Sequence, residues 1–219
     1  MNKAFPLLLA LAGALSAVTP AQAQDAAKGE QKAAMCIGCH GIVGYQASFP
    51  EIYKVPMISG QNAKYIVAAL TAYKKGERKH PTMRAIAGSL TDADMADLAA
   101  HYEKHGASSS VKPVADTPAA QPSAEVAALL AKGACASCHG PNFNKPIDPS
   151  YPKLAGQNAD YLAAALRAYN TTGNPNVGRA NAIMAGQVKQ FKNAEMKAIA
   201  NYLGSLPGEM HTVPQPKFK

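Results

Sequence analysis

Cys36-Ile37-Gly38-Cys39-His40-Gly41 returns 99 residues later as Cys135-Ala136-Ser137-Cys138-His139-Gly140, and the two hexapeptides hold all 4 cysteines of a 219-residue chain. Outside them the halves keep matching. Pro56-x-x-x-Gly60-Gln61-Asn62-Ala63-x-Tyr65 recurs as Pro152-x-x-x-Gly156-Gln157-Asn158-Ala159-x-Tyr161, and Ala68-Ala69-Leu70-x-Ala72-Tyr73 as Ala164-Ala165-Leu166-x-Ala168-Tyr169. A third block aligns Met83 with Met184, Met95 with Met196 and Leu98 with Ile199. The offset drifts between 96 and 101, as short insertions and deletions between equivalent elements produce. Two homologous domains are expected, 24–106 and 123–219. Between them 107–122 carries Ser108-Ser109-Ser110 and prolines 113, 118 and 122. Proline fixes its own φ and pushes its predecessor to extended geometry, so this stretch is expected to be an exposed linker.

Composition narrows the fold class. Hydrophobic residues make up 47% of the chain, enough for a buried core, while aromatics are only 6% and Trp is absent. Val, Ile and Thr rarely cluster, which argues against a sandwich or barrel and for Ala-rich helices. At the start, Lys3, the nearly all-apolar run from Pro6 to Val18 and the Ala21-Gln22-Ala23 cleavage site spell a cleavable export signal over 1–23. Its apolar run is shorter than the ~20 residues that span a bilayer. The mature protein is therefore expected in solution outside the cytoplasm.

Helical periodicity appears three times in each half. Asp25 and Ser123 are candidate caps of first helices running into Cys36 and Cys135. Tyr65, Ile66, Ala69, Leu70 and Tyr73, like Tyr161, Leu162, Ala165, Leu166 and Tyr169, form an apolar stripe. A last helix starts near Thr91 or Asp92 and near Asn193, burying Met95, Leu98, Ala99 and Tyr102 in one half and Met196, Ile199, Ala200 and Leu203 in the other. Units of this size with three short helices bury little apolar area on their own. Something else must fill the core.

The spacing Cys-x-x-Cys-His is the attachment signature of c-type haem. Its two thiols reach the vinyl groups on one edge of the porphyrin, and the following imidazole comes over the iron. Cys36, Cys39, Cys135 and Cys138 are the expected attachment points, and His40 and His139 the expected proximal iron ligands. A thioredoxin-like redox pair needs a βαβ context that is missing here. A structural zinc site needs four ligands, and pairing the copies would leave both histidines unused.

The sixth ligand decides function, because iron with both axial positions filled transfers electrons whereas an open position binds and converts small molecules. Met83/Met184 and Met95/Met196 both recur, so the repeat alone does not choose between them. Met95 and Met196 fall in line with Leu98 and Ile199 and suit a packed core. Met83 and Met184 lie 12 residues earlier in stretches without a clear helical period, expected to be loops, and are the expected ligands. His80, His101, His105 and His211 have no histidine counterpart in the other half. Of these, only His80 competes with Met83.

In these hexapeptides, the two Gly-Gln-Asn segments, Tyr73-Lys74-Lys75-Gly76-Glu77-Arg78, the Met83 and Met184 blocks and the closing helices, the chain resembles the dihaem cytochromes c of the cytochrome c4 type. The likeness runs through essentially the whole mature sequence. It implies two tandem class I cytochrome c domains, all-α, related by a pseudo-twofold axis and each wrapped around one covalent haem. It also implies a periplasmic carrier, not an enzyme, that draws on a respiratory donor complex and feeds a high-potential acceptor such as a terminal oxidase. Two departures stand out. His101 occupies the place of Tyr202, and the loops after His40 (Gly44-Tyr45-Gln46) and His139 (Asn142-Phe143-Asn144) differ from one another.

The formal net charge of +8 is basic without resembling a nucleic-acid-binding arm. Lys74, Lys75, Arg78 and Lys79 form the densest basic cluster, suited to steering an acidic partner surface or simply to solvation. The sequence leaves open whether the carrier associates loosely with a membrane. The main alternative is the dihaem cytochrome subunit of a dehydrogenase, for example a sulfide-oxidising flavocytochrome. A dihaem peroxidase would need an open haem with an acid/base group above it, where each half offers a matched Met instead.

Overall fold

The computed structural model describes residues 24–105, 107, 114–115 and 120–214. The expected export signal and most of the expected linker lie outside these residues. Asp25 opens α1 (Ala26–Lys32), its carboxylate accepting from the N–H groups of Ala27 and Lys28, which satisfies donors that the first helical turn leaves free. The single helix expected from Asp25 into Cys36 is instead two. Ala33 ends α1, and α2 (Ala34–His40) carries the cysteines and His40. The hairpin β1 (Gln46–Ala47) and β2 (Tyr53–Lys54) follows, then α3 (Ala63–Lys75), β3 (Arg78–Lys79), α4 (Pro81–Gly88) and α5 (Asp92–Lys104).

The second half repeats the plan. Ser123 caps α6 (Ala124–Lys132) by accepting from Val126 N–H. Again the helix breaks before the cysteines, here at Gly133 and at Ala134 with φ 45°, and α7 (Cys135–His139) follows. Then come α8 (Ala159–Asn170), β4 (Gly178–Arg179), α9 (Ala182–Val188) and α10 (Asn193–Ser205). The stretch after α10 turns back over the first half, where His211 pairs with Ser59 in an antiparallel bridge.

Met83 and Met184, expected in loops, sit in the first turns of α4 and α9. The period was illegible because these helices are short, and their start depends on side-chain caps. His80 is extended, its Nδ1 accepts from Met83 N–H at 3.4 Å, and Pro81 follows with its φ preset for a helix. In the second half Asn181 Oδ1 accepts from Met184 N–H at 2.9 Å.

The last helices bury the residues their period predicts. Thr91 and Asp94 close a reciprocal capping box on α5. Met95, Leu98, Ala99 and Tyr102 are buried behind it, as are Met196, Ile199, Ala200 and Leu203 on α10. Each large apolar side chain contributes roughly 1.5–3 kcal/mol on burial. In the first half α5 crosses α1 at Gly29, where a Cβ would run into the Asp97 carbonyl and the Cβ of His101. His101 thus stands at the helix crossing, stacked on His105 at 4.6 Å. Tyr202, its counterpart, meets Phe143 edge-on and donates to the Ala120 carbonyl.

The two halves dock through a two-stranded ladder. β3 pairs antiparallel with β4, placing Arg78 opposite Arg179 and Lys79 opposite Gly178. Glu51 pairs with Arg167 at 3.2 Å, and Asp160 accepts from Lys54 N–H at 3.0 Å. Gly29→Ala is expected to lower stability by about 1–3 kcal/mol through overpacking at the crossing. Gly88→Ala, whose Cβ meets nothing within 4 Å, should stay within about 0.5 kcal/mol of the parent; paired denaturant titrations of the holoprotein measure both.

Candidate haem site

A single cavity of about 790 Å³ reaches into both halves. From the first half α2 brings Cys36, Cys39 and His40 to it, and α4 brings Met83; from the second, α7 brings Cys135, Cys138 and His139, and α9 brings Met184. Met95 and Met196 do not line it. They are 1% and 2% exposed in the two cores, and the Met95 sulfur is taken by the Thr71 hydroxyl. Among the cavity walls the only other histidine is His80, whose Nδ1 is occupied by the α4 cap. His101 and His105 stack on each other, His105 meets Ser59 Oγ at 3.0 Å, and His211 Nδ1 meets the Glu209 carbonyl at 2.9 Å.

Each proximal candidate is oriented by a backbone carbonyl. His40 Nδ1 lies 2.8 Å from Pro56 O, and His139 Nδ1 lies 3.0 Å from Pro152 O. A carbonyl only accepts, so Nδ1 carries the proton and Nε2 keeps its lone pair. Burial pushes both imidazoles below their ordinary pKa, against a smaller opposing effect of those carbonyls. Both rings are therefore neutral donors at pH 7. All four cysteines are unpaired and half-buried, and burial pushes the Cys36 and Cys135 thiols up.

The Gly-Gln-Asn repeat is the clasp between the halves. Gln157 Oε1 accepts from Met57 N–H at 3.0 Å while its Nε2 donates to Met57 O at 2.8 Å. Gln61 does the same to Lys153, at 2.9 and 3.1 Å. Asn158 and Asn62 add donations to the carbonyls of Val55 and Tyr151. The glycine before each Gln needs its positive φ, 83° at Gly60 and 75° at Gly156, to aim the amide across the interface.

The basic cluster expected at the surface is dispersed. Arg78 is buried at the interface, Lys74 donates to Leu90 O, and Lys79 donates to Asn174 O of the other half. Only Arg78 is drawn inward, because the ladder turns β3 toward β4; Lys74 and Lys75 stay exposed and Lys79 half-exposed. Arg78 donates to Tyr65 and Tyr161 hydroxyls at 3.3 and 2.6 Å and lies over the Tyr73 ring. Arg179 donates to the Tyr161 and Tyr169 hydroxyls at 3.1 and 3.5 Å. Neither guanidinium has a carboxylate partner among the described residues, and Arg78 Nε is buried with no partner at all. Burial would raise the Tyr161 phenol, but the two arginines overrule it and hold it at about 8.

These observations test whether the residues fit a haem in each half. Two thiols, an imidazole and a thioether reach the cavity from each side, and two cations on its wall, the buried Arg78 and the half-buried Arg179, have no carboxylate partner among the described residues. A haem brings iron and two carboxylates. The fit is good. The histidine-orienting carbonyls, the glutamine clasp and the paired arginines were not assigned from sequence, although Arg78 and Arg179 share the methionines' 101-residue offset.

Known proteins agree with this reading. The cytochrome c family model matches the chain twice, at 26–104 and 123–207. Cytochrome c4 of Azotobacter vinelandii is 33% identical over 94% of this chain and 100% of its own length. The thiosulfate dehydrogenase electron acceptor of Stutzerimonas stutzeri is 32% identical over 90% of this chain and 94% of its own. The crystal structure of reduced recombinant cytochrome c4 from Pseudomonas stutzeri superposes with a TM-score of 0.57, at 27% identity, covering 84% of this chain and all of that one. With the family matched in both halves and relatives aligned end to end, the chain belongs to the cytochrome c family, as a two-domain, dihaem electron carrier of the cytochrome c4 type.

Proposed function

We propose that Cys36 and Cys39 fasten one haem and Cys135 and Cys138 the other, with His40/Met83 and His139/Met184 as the axial pairs. The observation that supports this most is the delivery of matched thiols, imidazole and thioether to one cavity from α2 and α4 and from α7 and α9. Each bound haem supplies a one-electron Fe(III)/Fe(II) couple. The Met thioether is a weak donor that favours Fe(II) and raises the potential relative to two imidazoles. Arg78 and Arg179, on the cavity wall, would neutralise the carboxylates of the bound haems, and the half-buried tyrosines around them would limit water there. With a histidine and a methionine both holding each iron, the site would move electrons rather than bind a substrate.

The protein acts in the periplasm after removal of 1–23, carrying electrons from a respiratory donor to a high-potential acceptor such as a terminal oxidase. Among the described residues no helix is long and apolar enough to cross a membrane. The relatives named thiosulfate dehydrogenase electron acceptor favour a second reading, in which the donor is a dehydrogenase of a reduced sulfur compound. Native purification separates free carrier from bound subunit. A carrier elutes alone, whereas constant co-elution with a flavin- or quinone-bearing chain would establish the subunit reading.

Met83→Ala and Met184→Ala are each expected to remove about half of the weak near-infrared band from sulfur to ferric iron, read by optical titration; a full band in either variant would move the ligand to Met95 or Met196. Arg179→Gln removes a half-buried positive charge from the cavity wall that would hold the haem. Fe(III) is then favoured, and spectroelectrochemistry should show a potential lowered by on the order of 1 kcal/mol.

A further inference from the structure

The carbonyl that orients each histidine and the N–H gripped by each glutamine belong to the same peptide group. Pro56 C=O and Met57 N–H form one planar unit. His40 Nδ1–H donates to its oxygen at 2.8 Å, and its N–H donates to Gln157 Oε1 at 3.0 Å. The unit between Pro152 and Lys153 repeats this with His139 at 3.0 Å and Gln61 at 2.9 Å. Oε1 is fixed as the acceptor on both sides, because it also accepts from the N–H of the following residue, Asn158 or Asn62, at 3.0 Å. Nε2 faces the carbonyl of Met57 or Lys153.

From this chain of bonds we infer that each glutamine is a positioning residue for the haem of the other domain: Gln157 tunes the His40 haem and Gln61 the His139 haem. The inference rests on His40 and His139 being iron ligands. Donating an N–H polarises its peptide and makes the carbonyl a better acceptor, since linked hydrogen bonds strengthen one another. A stronger bond from Nδ1–H leaves the imidazole more electron-rich, and a more basic axial ligand favours Fe(III). Each glutamine thus lowers the potential across the interface, and docking of the halves is written into both couples.

Gln157→Met and Gln61→Met keep side-chain length while removing the acceptor. In holoprotein, with the haem methyl resonances assigned to each domain by NMR, Gln157→Met should raise the potential of the His40 haem alone. The expected size is roughly a two- to fourfold rise in its reduced-to-oxidised ratio at fixed ambient potential. Gln61→Met, the independent mirror variant, should do the same to the His139 haem alone. In reduced protein the His40 Nδ1–H resonance should move upfield in Gln157→Met while that of His139 stays. A shift at the haem of the glutamine's own domain, equal shifts at both, or none would overturn the coupling. The ligand assignment has its own readout. If the His40 and His139 ring protons lack the porphyrin ring-current shift in the unmodified protein, that assignment fails; if they show it and the variants shift nothing, only the coupling fails.

Discussion

Two peptide groups, Pro56–Met57 and Pro152–Lys153, each hold a histidine on one edge and the opposite domain on the other. A neutral hydrogen bond contributes only about 1 kcal/mol net, but a buried N–H left without an acceptor costs about 1–3 kcal/mol. The clasp is therefore more demanding than its modest gain suggests: neither half satisfies the peptide that orients its histidine without the other. Site and interface share atoms. The halves are not beads on a string, although each has its own core.

The electrostatics of the seam point the same way. Like charges directly opposite one another on a ladder destabilise it, yet Arg78 and Arg179 are Cα partners, the first buried and the second half-buried. Tyrosine hydroxyls satisfy part of the donor fork of each guanidinium, and only anions satisfy the charge. Haem carboxylates are anions of that kind, and under the proposed function the seam that looks unfavourable in the bare polypeptide would suit the cofactor.

Much of this was legible in the sequence. The dihaem character was, because two copies of a spacing of two thiols and an imidazole leave few other chemistries. The cores behind Met95 and Met196 were, because their helices are long enough for a period to show. The breaks at Ala33 and Ala134 were not: alanine favours helix, and the bend arises where α1 packs on α5 and α6 on α10 while the cysteine turns face the cavity. The helical setting of Met83 was hidden by an unusual cap, His80. Arg78 looked solvated within a basic run because part of what buries it, Tyr161 and the β4 strand, lies in the other half. Gln61 and Gln157 stood out only as repeated letters, since their partners are 92 to 100 residues away.

The duplication is not carried through to the end of the chain. After α5 the backbone leads into the connector, whereas after α10 it returns to the axis, where Met210 is 4% exposed and its sulfur faces the Nε2 atoms of Gln61 and Gln157 at 3.1 and 3.6 Å. Lys153 ties this return in place through Glu209. One plug thus seals a junction that two identical modules would leave with either none or a pair in collision. A gene fusing two copies of the leading module would inherit the handshake but no stopper, and transposing the modules would strand the stopper in mid-chain.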